Sequence, residues 1–191
     1  MFEGYFTQQD DVLVNKLGIT DPAQLKEAEA AIVAVRANEI LQNPPAGVMD
    51  YSYLKELHRR LFSDIYDFAG TTRTVDIAKG GSAFCYVQFI EDEQRRIFAG
   101  LRKNFSARMS KEQFVKHLVM LSADLNALHP FREGNGRTLR LFYTLLAHEC
   151  GYTIAYDEVE PEQMMIADVR AFQGDFASLT EVYEMIVSAL E

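Results

Sequence analysis

His129-Pro130-Phe131-Arg132-Glu133-Gly134-Asn135-Gly136-Arg137-Thr138-Leu139-Arg140 decides how this 191-residue chain is to be read. Two glycines flank an asparagine where a helix begins. They let the backbone turn tightly and present its N–H groups, which the positive end of the helix dipole reinforces as an anion site. Arg137 and Arg140 stand three apart and share a helix face. Their guanidinium forks match phosphate oxygens. Glu133 would repel phosphates unless a cation lay between, and magnesium held by one carboxylate plus substrate phosphates is the usual arrangement. His129 closes the preceding helix across the same turn, and an imidazole accepts a proton near neutral pH. These parts suit phosphoryl or nucleotidyl transfer.

Upstream, Ser110 and Gln113 form a capping-box pattern, and Phe114, Leu118, Leu121, Leu125 and Leu128 line one apolar face. Pro130 ends that helix, because a residue before proline avoids helical backbone. Downstream, a helix starting near Gly134-Asn135-Gly136 carries Leu141, Phe142, Leu145 and Leu146. Pro161 opens another with Met165, Ile166 and Val169, and Met164-Met165 read as core filler. Ser178 and Glu181 cap a last helix that turns Val182, Tyr183, Ile186 and Leu190 inward.

Towards the N-terminus, Asp21-Pro22 with Gln24 starts a helix whose apolar positions are Leu25, Ala28, Ile32 and Val35, and Pro44-Pro45 ends it. Asp50 caps a second helix over 51–62. Residues 71–87 differ: Thr, Val, Ile and aromatics surround Lys79-Gly80-Gly81, which reads as a short β-hairpin or flap. The fold class is mainly α, a helical bundle with a short β-hairpin flap.

The net charge of −9 argues against direct nucleic-acid binding and against anionic lipid. Against that field Arg132, Arg137 and Arg140 face one acid, Glu133, within 129–140: a positive island. Cys85 and Cys150 have no metal-type spacing. With no secretory signal and no apolar run long enough to span a membrane, a reduced cytoplasmic setting is expected. His58, His117 and His148 lack a second ligand at metal spacing and read as packed or hydrogen-bonded helix residues. Asp157, Glu158 and Glu160 read as a solvated acidic turn. There is no G-x-x-x-x-G-K-[ST], and Leu139 stands where a dinucleotide fingerprint needs its last glycine.

The stretch resembles the Fic signature H-P-F-x-[D/E]-G-N-G-R-x-x-R, with all nine specified positions present. The likeness extends to Leu57-His58-Arg59-Arg60-Leu61-Phe62, to Asp64-Ile65-Tyr66-Asp67-Phe68-Ala69-Gly70 and Arg73, and to a target-docking flap over 74–86. It implies a single-domain Fic fold: an N-terminal helical arm over 1–49, a Fic core over 50–150, and C-terminal helices over 151–191 packed on the core. It implies a protein adenylyltransferase that moves AMP from ATP to a Ser, Thr or Tyr hydroxyl of a target protein. By the same resemblance His129 is the base and Phe131 a core anchor. Glu133 holds Mg2+, and Gly134, Asn135 and Gly136 cradle the phosphates. Arg137 neutralises departing pyrophosphate, and Arg140 places the γ-phosphate. Thr74, Val75, Asp76, Ile77, Ala78, Lys79, Gly80 and Gly81 form the flap that pairs main chain to main chain with the target. Relatives that transfer UMP or phosphocholine, and a non-catalytic nucleotide-binding regulator, are the alternatives.

Fic proteins are commonly restrained by a helix bearing [S/T]-x-x-x-E-[G/N], whose glutamate pairs with the arginine corresponding to Arg140. Here Ser52…Glu56 runs into Leu57, and Thr180…Glu184 into Met185, so both are half-matches. The expectation is a small toxin whose inhibitory helix resides on a separate small antitoxin protein. Relatives of this type point to a type II topoisomerase subunit as a candidate target.

Overall fold

The Asp21 side chain accepts the Gln24 amide hydrogen bond and Pro22 takes the first helical position, so α1 (Pro22–Gln42) starts where its capping residues place it. The computed structural model describes residues 12–79, 82–107 and 109–190. The buried face of α1 is not the expected one. Leu25, Glu29, Val33 and Ile40 are buried, whereas Val35 is exposed. The expectation passed over position 29 because a glutamate does not belong on an apolar stripe. The true face includes it, because two polar groups meet it inside.

Asp50 caps α2 (Tyr51–Phe62) by accepting from the Tyr53 amide, and Leu54, Leu57, His58, Leu61 and Phe62 form its inner face. The hairpin expected within 71–87 is present: β1 (Ala78–Lys79) pairs antiparallel with β2 (Ser82–Ala83), Ala78 opposite Ala83. Gly80 and Gly81 of the expected flap lie outside the described residues. Then come α3 (Val87–Asn104), α4 (Lys111–Leu128) and α5 (Asn135–Glu149). They are followed by β3 (Tyr152–Ile154), a 3-10 turn (Tyr156–Glu158), α6 (Pro161–Phe172), α7 (Ala177–Ile186) and β4 (Val187–Ala189).

The chain forms two compact units. Among the described residues, 12–75 together with Phe131–Thr138 make one, and Asp76–Pro130 with 139–190 make the other. In the first, α1 packs on α2, and Leu54, Leu57, Leu61, Phe62, Ile65 and Phe131 are buried. In the second, α4 is the organising helix. Its start carries the full capping box, and Phe114, Leu118, Leu121, Leu125 and Leu128 are all buried, as its spacing predicts. α3 and α7 pack on it, and Phe98 of α3 meets Phe142 of α5 edge to face with centroids 6.0 Å apart.

The C-terminal region corrects three expectations. Met165, Ile166 and Val169 are exposed, and α6 buries Met164, Ala167 and Ala171 instead. That face packs against α4 and α7, and two of its three buried residues are alanines. Helix α7 begins at Ala177 with no side-chain cap, and Ser178 accepts from Arg170 within it. The chain leaves helix at Ile186, and Val187–Ala189 pair with β3, so Leu190 is exposed rather than inward.

Candidate active site

In the first unit the signature loop is built on Phe131. Its ring is fully buried and stacks on His58 at 3.9 Å between centroids. His58 is wholly buried as well. Its Nδ1 accepts from the Gly70 amide at 2.7 Å, so Nε2 is the nitrogen that donates to the Glu133 carbonyl at 2.9 Å. Burial drives its pKa down to about 4, because charging an enclosed imidazole costs solvation. The histidine is therefore a neutral strut between α2 and the loop, in keeping with the packed role expected from sequence.

The Asn135 side chain bonds both main-chain groups of Phe131: Oδ1 accepts its amide at 2.9 Å and Nδ2 donates to its carbonyl at 2.8 Å. That side chain is spent on the loop, and what Asn135 can offer an anion is its backbone N–H. Gly134 has φ +78°, and a Cβ there would come within 2.3 Å of the Phe62 ring, so only glycine fits. Thr138 Oγ1 and N both donate to the Gly134 carbonyl, which locks the first turn of α5. Gly136 stands exposed in that turn.

Glu133 and Arg137 flank this turn. The Glu133 Oε1 accepts from the Gly134 amide at 2.9 Å and lies 3.6 Å from Arg137 Nη2. No cluster of three His, Cys, Asp or Glu able to hold a metal occurs among the described residues. Glu133 therefore fits a divalent ion only in the form that shares it with phosphate oxygens. Arg137 is held on further sides. Its Nη2 bonds Glu29 Oε1 at 2.5 Å, and its guanidinium carbon lies 5.0 Å from the Phe62 ring centroid. Glu29, on α1, also accepts from the Tyr66 hydroxyl and is only 7% exposed. Sequence reasoning missed it, because nothing in Glu27-Ala28-Glu29 marks the second glutamate as buried.

In the second unit His129 has a left-handed backbone, φ 44° and ψ 62°, and is the C-cap of α4. Its Nδ1 lies 3.2 Å from the Asn126 carbonyl. A carbonyl only accepts, so in the neutral ring Nδ1 carries the proton and the lone pair is on Nε2. The ring stacks on Phe84 at 3.8 Å and 16°, and Phe84 follows β2 directly. Of the expected flap residues, Asp76 accepts the Val87 amide at the start of α3, Ile77 accepts from the Phe84 amide, and Ala78 pairs in β1. Lys79 is the second β1 residue, and Thr74 and Val75 belong to the first unit. Arg140 lies on the outer side of α5, within electrostatic reach of Asp168 on α6. Burial raises the Asp168 carboxyl to about 6, and Arg140 opposes that rise.

The two half-matched regulatory glutamates are otherwise placed. Glu56 is gripped by Arg59 at 2.6 Å and Arg60 at 2.8 Å on its own helix, and the Arg59 hydrogen bond leads in lowering its pKa to about 2. Glu184 is exposed on α7, where its carbonyl accepts from Lys111.

Comparison with known proteins agrees with this geometry. The profile of the Fic/DOC family matches residues 48–147. A probable protein adenylyltransferase, y4lH, of Sinorhizobium fredii is 41% identical over 92% of this chain and 91% of its own length. The protein adenylyltransferase VbhT of Bartonella schoenbuchensis is 38% identical over 90% of this chain and 36% of its own. Among solved structures, BepC of Bartonella tribocorum with bound AMPPNP superposes with a TM-score of 0.93 at 26% identity, covering 98% of this chain and 97% of that one. With an unbroken signature set on a buried Phe131 anchor and likeness running nearly end to end, the chain belongs to the Fic/DOC family.

Proposed function

We propose that the chain is a protein adenylyltransferase that transfers AMP from ATP to a Ser, Thr or Tyr hydroxyl of another protein. The observation that carries this reading is the unbroken signature, in which His129 keeps its lone pair on Nε2 and the first turn of α5 is locked around Gly134. The relatives named adenylyltransferases support it.

Each residue has one task. His129 Nε2 takes the proton of the target hydroxyl. The hydroxyl oxygen attacks the α-phosphorus in line; the bond from that phosphorus to the α,β-bridging oxygen breaks, and pyrophosphate leaves. Backbone N–H groups of Asn135 and Gly136 receive phosphate oxygens, and that of Gly134 joins them once the Glu133 carboxylate releases it. Arg137 balances charge on the leaving pyrophosphate, and Arg140 places the γ-phosphate. Glu133 would hold Mg2+ together with the phosphates, where the ion would supply charge neutralisation. The flap over 74–81 pairs with an extended segment of the target. The same reading makes the chain a toxin restrained by a separate small protein, with a type II topoisomerase subunit as candidate target.

The test is transfer of label to host proteins from ATP labelled at either the α- or the γ-phosphate. Label should pass from α-labelled ATP alone, vanish with excess chelator, and vanish in His129→Ala while ATP binding persists. Transfer of γ-label would make the protein a kinase. Transfer from α-labelled UTP or from CDP-choline alone would change the group moved. No transfer at all would leave a nucleotide-binding regulator.

A further inference from the structure

We infer that Glu29 is a positioning residue for the transfer reaction: it holds Arg137, through a partly buried ion pair, in the orientation that receives the departing pyrophosphate. The inference rests on the adenylyltransferase reading and adds to it a residue outside the signature, on a helix that the family profile does not reach.

The case begins with burial. A carboxylate 7% exposed on an otherwise apolar helix face is unfavourable unless its oxygens are met. Both are. Tyr66 donates its hydroxyl to Oε2, and Arg137 donates Nη2 to Oε1 at 2.5 Å. Burial, then the bond to Glu29, raise the Tyr66 hydroxyl pKa, so it stays a donor at any working pH. The order of support is therefore Tyr66, then Glu29, then Arg137. Tyr66 fixes the carboxylate, and the carboxylate fixes the guanidinium.

The second step concerns what is left of Arg137. Its contacts with Glu29 and Glu133 both fall on Nη2. A guanidinium has five N–H donors, so those on Nε and Nη1 remain for phosphate oxygens. The Phe62 ring lies against the guanidinium carbon. An arginine gives up rotamer entropy when it is immobilised. Here Glu29, Tyr66 and Phe62 supply that ordering from within the protein, which is the preorganisation that charge-stabilising groups require. A restraint would behave otherwise: a carboxylate that competed with phosphate would occupy several donors rather than one.

The experiment measures kcat and KM for ATP in the full chain carrying Glu29→Gln, Arg137→Ala, or both. Arginine-selective NMR reads rotation of the Arg137 guanidinium. Glu29→Gln should lower kcat by about ten-fold or more. It should leave KM for ATP nearly unchanged, and have no further effect once Arg137 is alanine. Wild type should show separate Nη signals that merge in Glu29→Gln. An effect of Glu29→Gln that persists in the Arg137→Ala background would reduce Glu29 to a structural residue. A rise in kcat would make it a brake. Either result overturns the inference, as does unchanged kcat. Should the wild type transfer no AMP, the adenylyltransferase reading fails first, and the NMR arm still decides whether Glu29 fixes Arg137.

Discussion

Gly134 shows how much of a site can depend on one missing side chain. At φ +78° an L-residue is strained, and the Phe62 ring leaves no room for a methyl. Gly134→Ala must push the loop off Phe62, and with it the amides at the start of α5. Transfer should fall on the order of 100-fold, the scale of losing a preorganised donor. Phe131 should stay buried, so the melting temperature should drop only modestly. Parallel rate and calorimetry measurements check this. At the same scale, every signature residue was legible beforehand, because its chemistry is local in the chain. Glu29 was not, since its meaning depends on Tyr66 and Arg137, the latter 108 positions away. Phe84 falls within the flap over 74–86, but its stacking on His129 is a matter of the fold and not of the local sequence.

At the level of elements, α2 and the loop are joined through His58. Its folded pKa of about 4 lies below the ordinary 6.5. The stability it contributes is fully present above pH 6.5 and lost as pH falls through about 4, when Nδ1 must give up the Gly70 amide. The melting temperature of wild type relative to His58→Gln should therefore decline across that window. Asp168 works the other way: its contribution is full below 3.8 and lost as pH rises through about 6. For that reason the difference between the two proteins is the proper readout, and a flat difference would show that His58 carries no such linkage. Helices with side-chain caps at Asp21, Asp50 and Ser110 began where their sequences place them. Helix α3 has Tyr86 at its N-cap with no side-chain cap bond, and it escaped the sequence reading. Instead Asp76, eleven residues back, meets its first amide. The faces of α1 and α6 were misread for related reasons. A buried acid on one and small alanines on the other break the rule that large apolar residues point inward.

For the molecule as a whole, the question is what keeps the activity in check. Glu56 is already bound by Arg59 and Arg60, and Glu184 is exposed on α7. If control comes from a separate protein, the chain expressed alone should slow host growth and label host proteins. Glu56→Gly and Glu184→Gly should then leave both readings unchanged. An inert chain switched on by either substitution would place the control within.

The pairing of α1 with the signature also bears on how such proteins can be recombined. A graft cut at the borders of the family match, 48 and 147, would carry all twelve signature residues into a new host and leave behind the carboxylate that pairs with Arg137. On the proposed role of Glu29, a host that receives this stretch would need an acid of its own at that position, and what has to be moved together is longer than the stretch the family profile matches.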